Sequence, residues 1–344
     1  MNNRHNIIHP SFSMDNLVLP RPGATSDSHA SKSPISGPTE AAFTKTFGTL
    51  LPPAKYLELI NAKAAYYEFS PPSSAKSPSS SHAIERVLFI HGVQTPALGM
   101  LPLARTLRTR FPQAHLVLVD LWGHGLSDTP VAPHEPKLFH GLIDSLLDHL
   151  SWPSAHLVGY SFGGALTVGY VASRPSRVQS FTLVAPAGLI RSSDYSSEEL
   201  AYLHGEDQAA ARKWVLNFLE GGELVVPADW EERVGKGEVV AEAVREWQMR
   251  EHAGHVASVV AVVRDGGVMD NDATFLQAVQ TKIPSLVVLG ELDGVCNEKE
   301  LKGLGFGSVV VVPRVGHAVV RERHSEVADS IRDFWTNFID TSGN

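Results

Sequence analysis

The chain has 344 residues, 43% of them hydrophobic, which is enough to bury a sizeable core, and 29 Lys+Arg against 37 Asp+Glu give a formal charge of -8 with no basic block. That balance argues against nucleic acid and anionic membrane surfaces as partners. A single cysteine, Cys296, excludes an intrachain disulfide framework; residues 1–20 hold no continuous apolar run of the kind a secretory leader needs, and no run of about 18 apolar residues supplies a membrane span. A soluble cytoplasmic protein is the expectation, with oligomeric state left open.

Residues 1–45 are rich in Ser, Pro, Asn and His and follow neither a period of 2 nor one of 3.6, so a disordered tail is expected. A second Ser/Pro cluster over 70–82 reads as an exposed loop joining two strands. From residue 66 onward short apolar runs alternate with helical patterns, and strands are expected at 66–69, 86–90, 116–120, 156–159, 181–184, 285–289 and 308–312. Several are apolar nearly throughout, as strands covered on both faces of a parallel sheet are. Between them, Leu138, Leu142, Leu146 and Leu150, and later Val327, Ile331, Phe334, Trp335 and Phe338, recur at helical spacing and mark buried helix faces. Strand and helix in alternation predict an α/β fold built on a doubly wound, mostly parallel sheet.

The alternation lapses between 186 and 275. No strand pattern occurs there, while Val240, Ala243, Val244 and Trp247, and then Val256, Val259, Val260 and Val263, each follow i, i+3, i+4, i+7. A helical insertion over 186–275 is expected, with 46–185 and 276–344 forming the core.

The chemistry centres on Gly159-Tyr160-Ser161-Phe162-Gly163-Gly164, a G-x-S-x-G sequence. It follows the apolar run 156–159 and precedes a helical run from Ala165 to Arg174 that Pro175 helps to end. A serine on a sharp strand-to-helix turn needs glycines two residues to either side for steric room. The same turn aims helix N-terminal N–H groups at developing negative charge.

With that context the chain resembles the α/β-hydrolase family over about 56–339. Phe89-Ile90-His91-Gly92-Val93 resembles the strand-end segment that supplies one oxyanion-hole N–H, which the resemblance assigns to Val93; the other falls to Phe162, next after the nucleophile. Asp120-Leu121-Trp122-Gly123-His124-Gly125-Leu126-Ser127 is similar to the family's D-x-x-G-H-G-x-S turn, where His124 is structural. The remaining triad positions are identified with Asp293, just past the strand 285–289, and His317, behind Gly316 and after the last strand, in the chain order Ser, Asp, His of this fold. Glu291 and Asp194 are the rivals of Asp293, and His324 is that of His317. Asp194 stands in a polar segment suited to helix capping, and His324 is expected to be exposed. His252 and His255 are three apart on an expected helix, but no third ligand accompanies them and a solvated face is the reading preferred over a metal pair.

The resemblance implies an acyl-enzyme mechanism that calls for no metal or organic cofactor. Ser161 sets the chain apart from the epoxide hydrolases and haloalkane dehalogenases of this fold, whose nucleophile is Asp. A small or medium apolar ester, lactone or thioester is the substrate expected, and a carbon–carbon bond hydrolase or lyase on the same triad is the alternative. A binding protein without catalysis would have no use for Ser161, Asp293 and His317 together. The insertion resembles the family's cap, and its Trp214, Phe218, Trp230 and Trp247 are candidates to line an apolar pocket.

Overall fold

The computed structural model describes residues 17–23, 33–60, 62–72 and 84–342. The expected loop over 70–82 lies for the most part outside them. Eight strands form one sheet: β1 Lys55–Leu59, β2 Ala62–Phe69, β3 Arg86–Ile90, β4 His115–Val119, β5 Ala155–Tyr160, β6 Val178–Val184, β7 Ser285–Gly290 and β8 Val309–Val312. Their order is β1-β2-β4-β3-β5-β6-β7-β8, with β1/β2 and β2/β4 antiparallel and the remaining pairs parallel. The seven expected strands are present with ends shifted by a few residues. The strand expected at 66–69 is the second half of β2, and β1 is additional: in Lys55–Leu59 only Leu57 is buried, so this edge strand carries no apolar run to betray it.

Thirteen α-helices accompany the sheet among the described residues: α1 Glu40–Phe47, α2 Leu101–Arg110, α3 Pro136–His149, α4 Phe162–Ser173, α5 Ser197–His204, α6 Gln208–Glu220, α7 Trp230–Gly235, α8 Ala241–Glu251, α9 His255–Asp265, α10 Asp272–Gln280, α11 Glu298–Gly303, α12 Val319–Glu322 and α13 His324–Ser342. Alternate residues of each strand feed opposite cores. Leu88, Ile90, Leu157 and Val287 pack with Phe139, Leu142, Leu166 and Phe275 of α3, α4 and α10. Val87, Phe89, Val158 and Val288 pack with Leu103, Leu107, Ile331 and Trp335 of α2 and α13. Of the expected helix faces, Leu142 and Leu146 of α3 and Val327, Ile331 and Trp335 of α13 are buried, Leu138 and Leu150 sit at the margin of the first core and Phe334 at that of the second, and the side chain of Phe338 lies outside the described ones.

The chain leaves β3 toward β4 on one side and returns to β5 on the other, so the crevice beyond the carboxyl ends of β3 and β5 lies at the switch point of the sheet. Helices α5 to α9 come between β6 and β7 without a strand, as the lapse of alternation predicts. The boundary expected at 275 falls inside α10, which packs against α4.

The N-terminal boundary also differs from expectation. Residues 1–16 and 24–32 lie outside the described ones, but Ile35 pairs with Thr129 as an isolated bridge, and α1 starts at Glu40, within the expected tail. Thr39 caps that helix by accepting from the Ala42 N–H, and Phe43 and Phe47 are buried edge-on against Trp247. Two apolar residues one turn apart are too few to register as a period, which is why composition alone reads the segment as tail.

Candidate active site

At the end of β5 the backbone turns sharply, with Ser161 at φ 52° and ψ -117°, a sparsely populated conformation held by its surroundings. The Ser161 N–H donates to Val184 O, and its carbonyl accepts from the N–H groups of Gly164 and Ala187. The flanking glycines have a measurable reason. A Cβ on Gly163 would lie 2.0 Å from Ile90 O, and one on Gly159 would lie 2.3 Å from Thr167 Oγ1. A Cβ on Gly92 would lie 2.9 Å from that of Ser161, so the loop after β3 runs directly beside the serine.

A second backbone approach brings the late strands' loops together. A Cβ on Gly290 would lie 2.3 Å from Gly316 O, and the Leu292 N–H donates to Val315 O. Asp293 and His317, on these two loops, are thereby apposed. His317 Nδ1 lies 3.1 and 3.2 Å from the two Asp293 carboxylate oxygens, and its Nε2 lies 2.9 Å from Ser161 Oγ. Both contacts are satisfied by the tautomer protonated on Nδ1, which donates to Asp293 and leaves Nε2 to accept from the serine hydroxyl. The Asp293 side chain is almost fully buried and also accepts from the Val295 N–H at 2.8 Å.

The rivals stand elsewhere. Glu291 is exposed and accepts from the Arg314 N–H; Asp194 is exposed in a short turn before α5; His324 opens α13 and hydrogen-bonds Thr106. Val93 borders the cavity in front of Ser161, and Phe162 opens α4, where its N–H has no acceptor within the helix.

The turn after β4 is a buried polar knot. Asp120 accepts from Ala97 N–H, Leu126 N–H and the Tyr67 hydroxyl, and burial raises its pKa to about 6. His124 donates from Nδ1 to Trp122 O and accepts on Nε2 from the Gln94 N–H, so it braces the loop beside Ser161, in keeping with a structural place. Burial holds it, and His91 at about 4, in the neutral form. His252 and His255 correct the expectation of a solvated face. Both are buried, and they donate to Ser127 O and Gly123 O, pinning the insertion onto this turn. Their carbonyl partners lie far off in sequence, so helical position alone gives no sign of them.

A cavity of about 430 Å³ opens over Ser161 and His317, with Phe218 and Leu219 of α6, Arg245 of α8 and Val263 of α9 among its walls. Of the four aromatics singled out in the insertion, Phe218 lines it and Trp214 stacks behind Phe218. Trp230 and Trp247 pack on α1 instead. Polar groups that no motif marks also face the site. Arg245 Nη1 lies 3.2 Å from Glu220 and its Nη2 3.3 Å from Glu242, while Gln94 donates to Glu220 at 2.9 Å. Burial raises the Glu220 pKa, and the Arg245 charge opposes that. No helix among the described residues is long and apolar enough to cross a membrane.

The chain belongs to the α/β-hydrolase family of enzymes: the family model described as the alpha/beta hydrolase fold matches residues 85–320. It is similar to the dihydrolipoyllysine-residue acetyltransferase component of the acetoin cleaving system of Pseudomonas putida, with 27% identity over 64% of this chain and 56% of that protein, so the match spans about half of that relative. Lipase 1 of Psychrobacter immobilis is 27% identical over 73% of this chain and 76% of its own. Among solved structures, the enol-lactonase from Burkholderia xenovorans LB400 superposes with a TM-score of 0.59 at 19% identity, covering 82% of this chain and all of that one, a likeness of fold.

Proposed function

We propose that the protein is a serine hydrolase of carboxylic esters, lactones or thioesters that works through an acyl-enzyme. The observation that carries the reading is the relay of Ser161 Oγ, His317 and buried Asp293, each within hydrogen-bond reach of the next. Ser161 Oγ attacks the substrate carbonyl carbon as its proton passes to His317 Nε2. The carbonyl electrons move onto oxygen, which the N–H groups of Val93 and Phe162 receive. Collapse of that oxyanion expels the leaving oxygen or sulfur, which takes the proton from His317. Water then attacks the acyl-enzyme with His317 again as base, releasing the acid and restoring Ser161. Asp293 fixes the Nδ1–H tautomer and stabilises the imidazolium in each half-reaction.

The insertion acts as the cap of this site, and the size of the cavity beneath it suits a small or medium acyl group. A panel of p-nitrophenyl esters of graded chain length, run beside lactones and diketones, tests the reading. Turnover of esters or lactones is expected. Cleavage of diketones with none of the esters would transfer the same triad to carbon–carbon bond hydrolysis.

A further inference from the structure

Arg321 lies on α12, four residues after His317, and borders the same cavity as Ser161. Its guanidinium carbon sits 5.7 Å from the centroid of the Tyr160 ring, and that ring in turn lies 5.4 Å from the His317 ring. The guanidinium is therefore one aromatic ring away from the imidazole. Its Nη1 is buried without a hydrogen-bond partner, and no carboxylate among the described residues pairs with it. Glu242, which lines the cavity, and Glu220 beside it both pair with Arg245 instead. Glu322, the next residue, is exposed and makes no ion pair with Arg321.

A fixed cation with an unpartnered buried donor is costly to keep unless something answers it. The cation–π contact with Tyr160 favours this place for the guanidinium, and the planar fork of an arginine is suited to bidentate pairing with a carboxylate. None of this serves acyl transfer itself, since Arg321 touches neither Ser161 nor the N–H groups of Val93 and Phe162 assigned to the oxyanion.

We infer that Arg321 is a specificity-determining residue that selects substrates bearing a carboxylate a few bonds from the scissile carbonyl, such as the monoester of a dicarboxylic acid. The inference rests on the acyl-hydrolase reading and narrows it. Once the carboxylate sits on Arg321, the ester carbonyl is delivered to Ser161, so the charge contributes to positioning as well as affinity.

The test compares monomethyl and dimethyl glutarate and adipate, with acid release followed at fixed pH. For the wild-type protein kcat/KM for the monoester is expected to exceed that for the neutral diester by about tenfold or more, the scale of a charge-assisted hydrogen bond. Arg321→Met should collapse that ratio toward one, and Arg321→Lys should keep part of it. Binding is read separately by titrating the same esters into Ser161→Ala. That variant should bind the monoester more tightly than the diester, and adding Arg321→Met should abolish the difference. Equal kcat/KM and equal binding for the two esters in the Arg321-containing proteins would overturn the inference even if the Met variant failed to fold. Selective monoester binding without any turnover by the wild type would instead retain the anion site and overturn the hydrolase reading.

Discussion

The carbonyl oxygen of Ile90 lies 2.0 Å from where a Cβ on Gly163 would stand, so the end of β3 and the turn carrying Ser161 meet backbone against backbone. Neither side is the far end of a flexible chain. Gly163→Ala is therefore expected to lose about 1–3 kcal/mol of stability, the usual cost of overpacking. Gly141, inside α3 with nothing within 4 Å of its Cβ position, is the counterpart. There the same change should gain up to about 1 kcal/mol from helix propensity. Urea unfolding of both variants checks the pair, and equal effects would remove the packing argument.

Asp293 rather than a neighbouring carboxylate is expected to support His317. Asp293→Asn should leave the fold intact and lower kcat by about 10⁴, because an amide in that place favours the wrong imidazole tautomer. Glu291→Gln and Asp194→Asn, both at exposed carboxylates, should each change kcat by less than about tenfold. A large loss at Asp194 with a small one at Asp293 would reassign the acid and leave Ser161 and His317 in place.

The segment before residue 46 is expected to matter for stability. Phe43 is buried, with ring centroids 5.1 Å from Phe47 and 5.5 Å from Trp247. Phe43→Ala should lose about 3–5 kcal/mol, as truncating a buried aromatic does. Deletion of 1–45 should lower the thermal midpoint by many degrees. An unchanged midpoint would return the whole segment to the status of a dispensable tail.

Acid should unfold the protein through its buried histidines. Burial lowers the pKa of His91, His134, His140 and His156 from 6.5 to about 4, and that of His255 to about 3. Between those values and 6.5 the unfolded chain binds protons that the folded one refuses, so their stability is complete above about 6.5 and is lost as pH falls toward 4. Asp120 works the other way: its pKa, raised from 3.8 to about 6, makes the fold hold a proton that the unfolded chain releases. Asp120 and Glu220, whose pKa burial also raises, do not offset five histidines. The urea midpoint should fall clearly from pH 7.5 to pH 5, and an equal or higher midpoint at pH 5 would contradict this.

How much of this was legible beforehand follows from the range over which each signal acts. The apolar runs of β3, β5 and β7 and the Gly159-to-Gly163 turn are local, and they read directly as strands and elbow. Asp293 and His317 were legible because family order places them at strand ends, though the contact itself depends on Gly290 and Gly316 meeting across two loops. The single buried apolar residue of β1 and the two phenylalanines of α1 give too short a pattern to see. His252, His255, Glu220, Arg245 and Arg321 take their meaning from partners or neighbours far along the chain, which no spacing rule reports.

The proposed chemistry acylates Ser161 with His317 as its base. The most direct measurement is intact mass and peptide mapping after reaction with a fluorophosphonate, alongside turnover of an activated ester. One adduct per chain is expected, on Ser161 alone. Ser161→Ala should give no adduct and lose on the order of a millionfold in kcat while unfolding at the wild-type midpoint. An adduct on another residue, or more than a few per cent of turnover surviving in Ser161→Ala, would contradict the account.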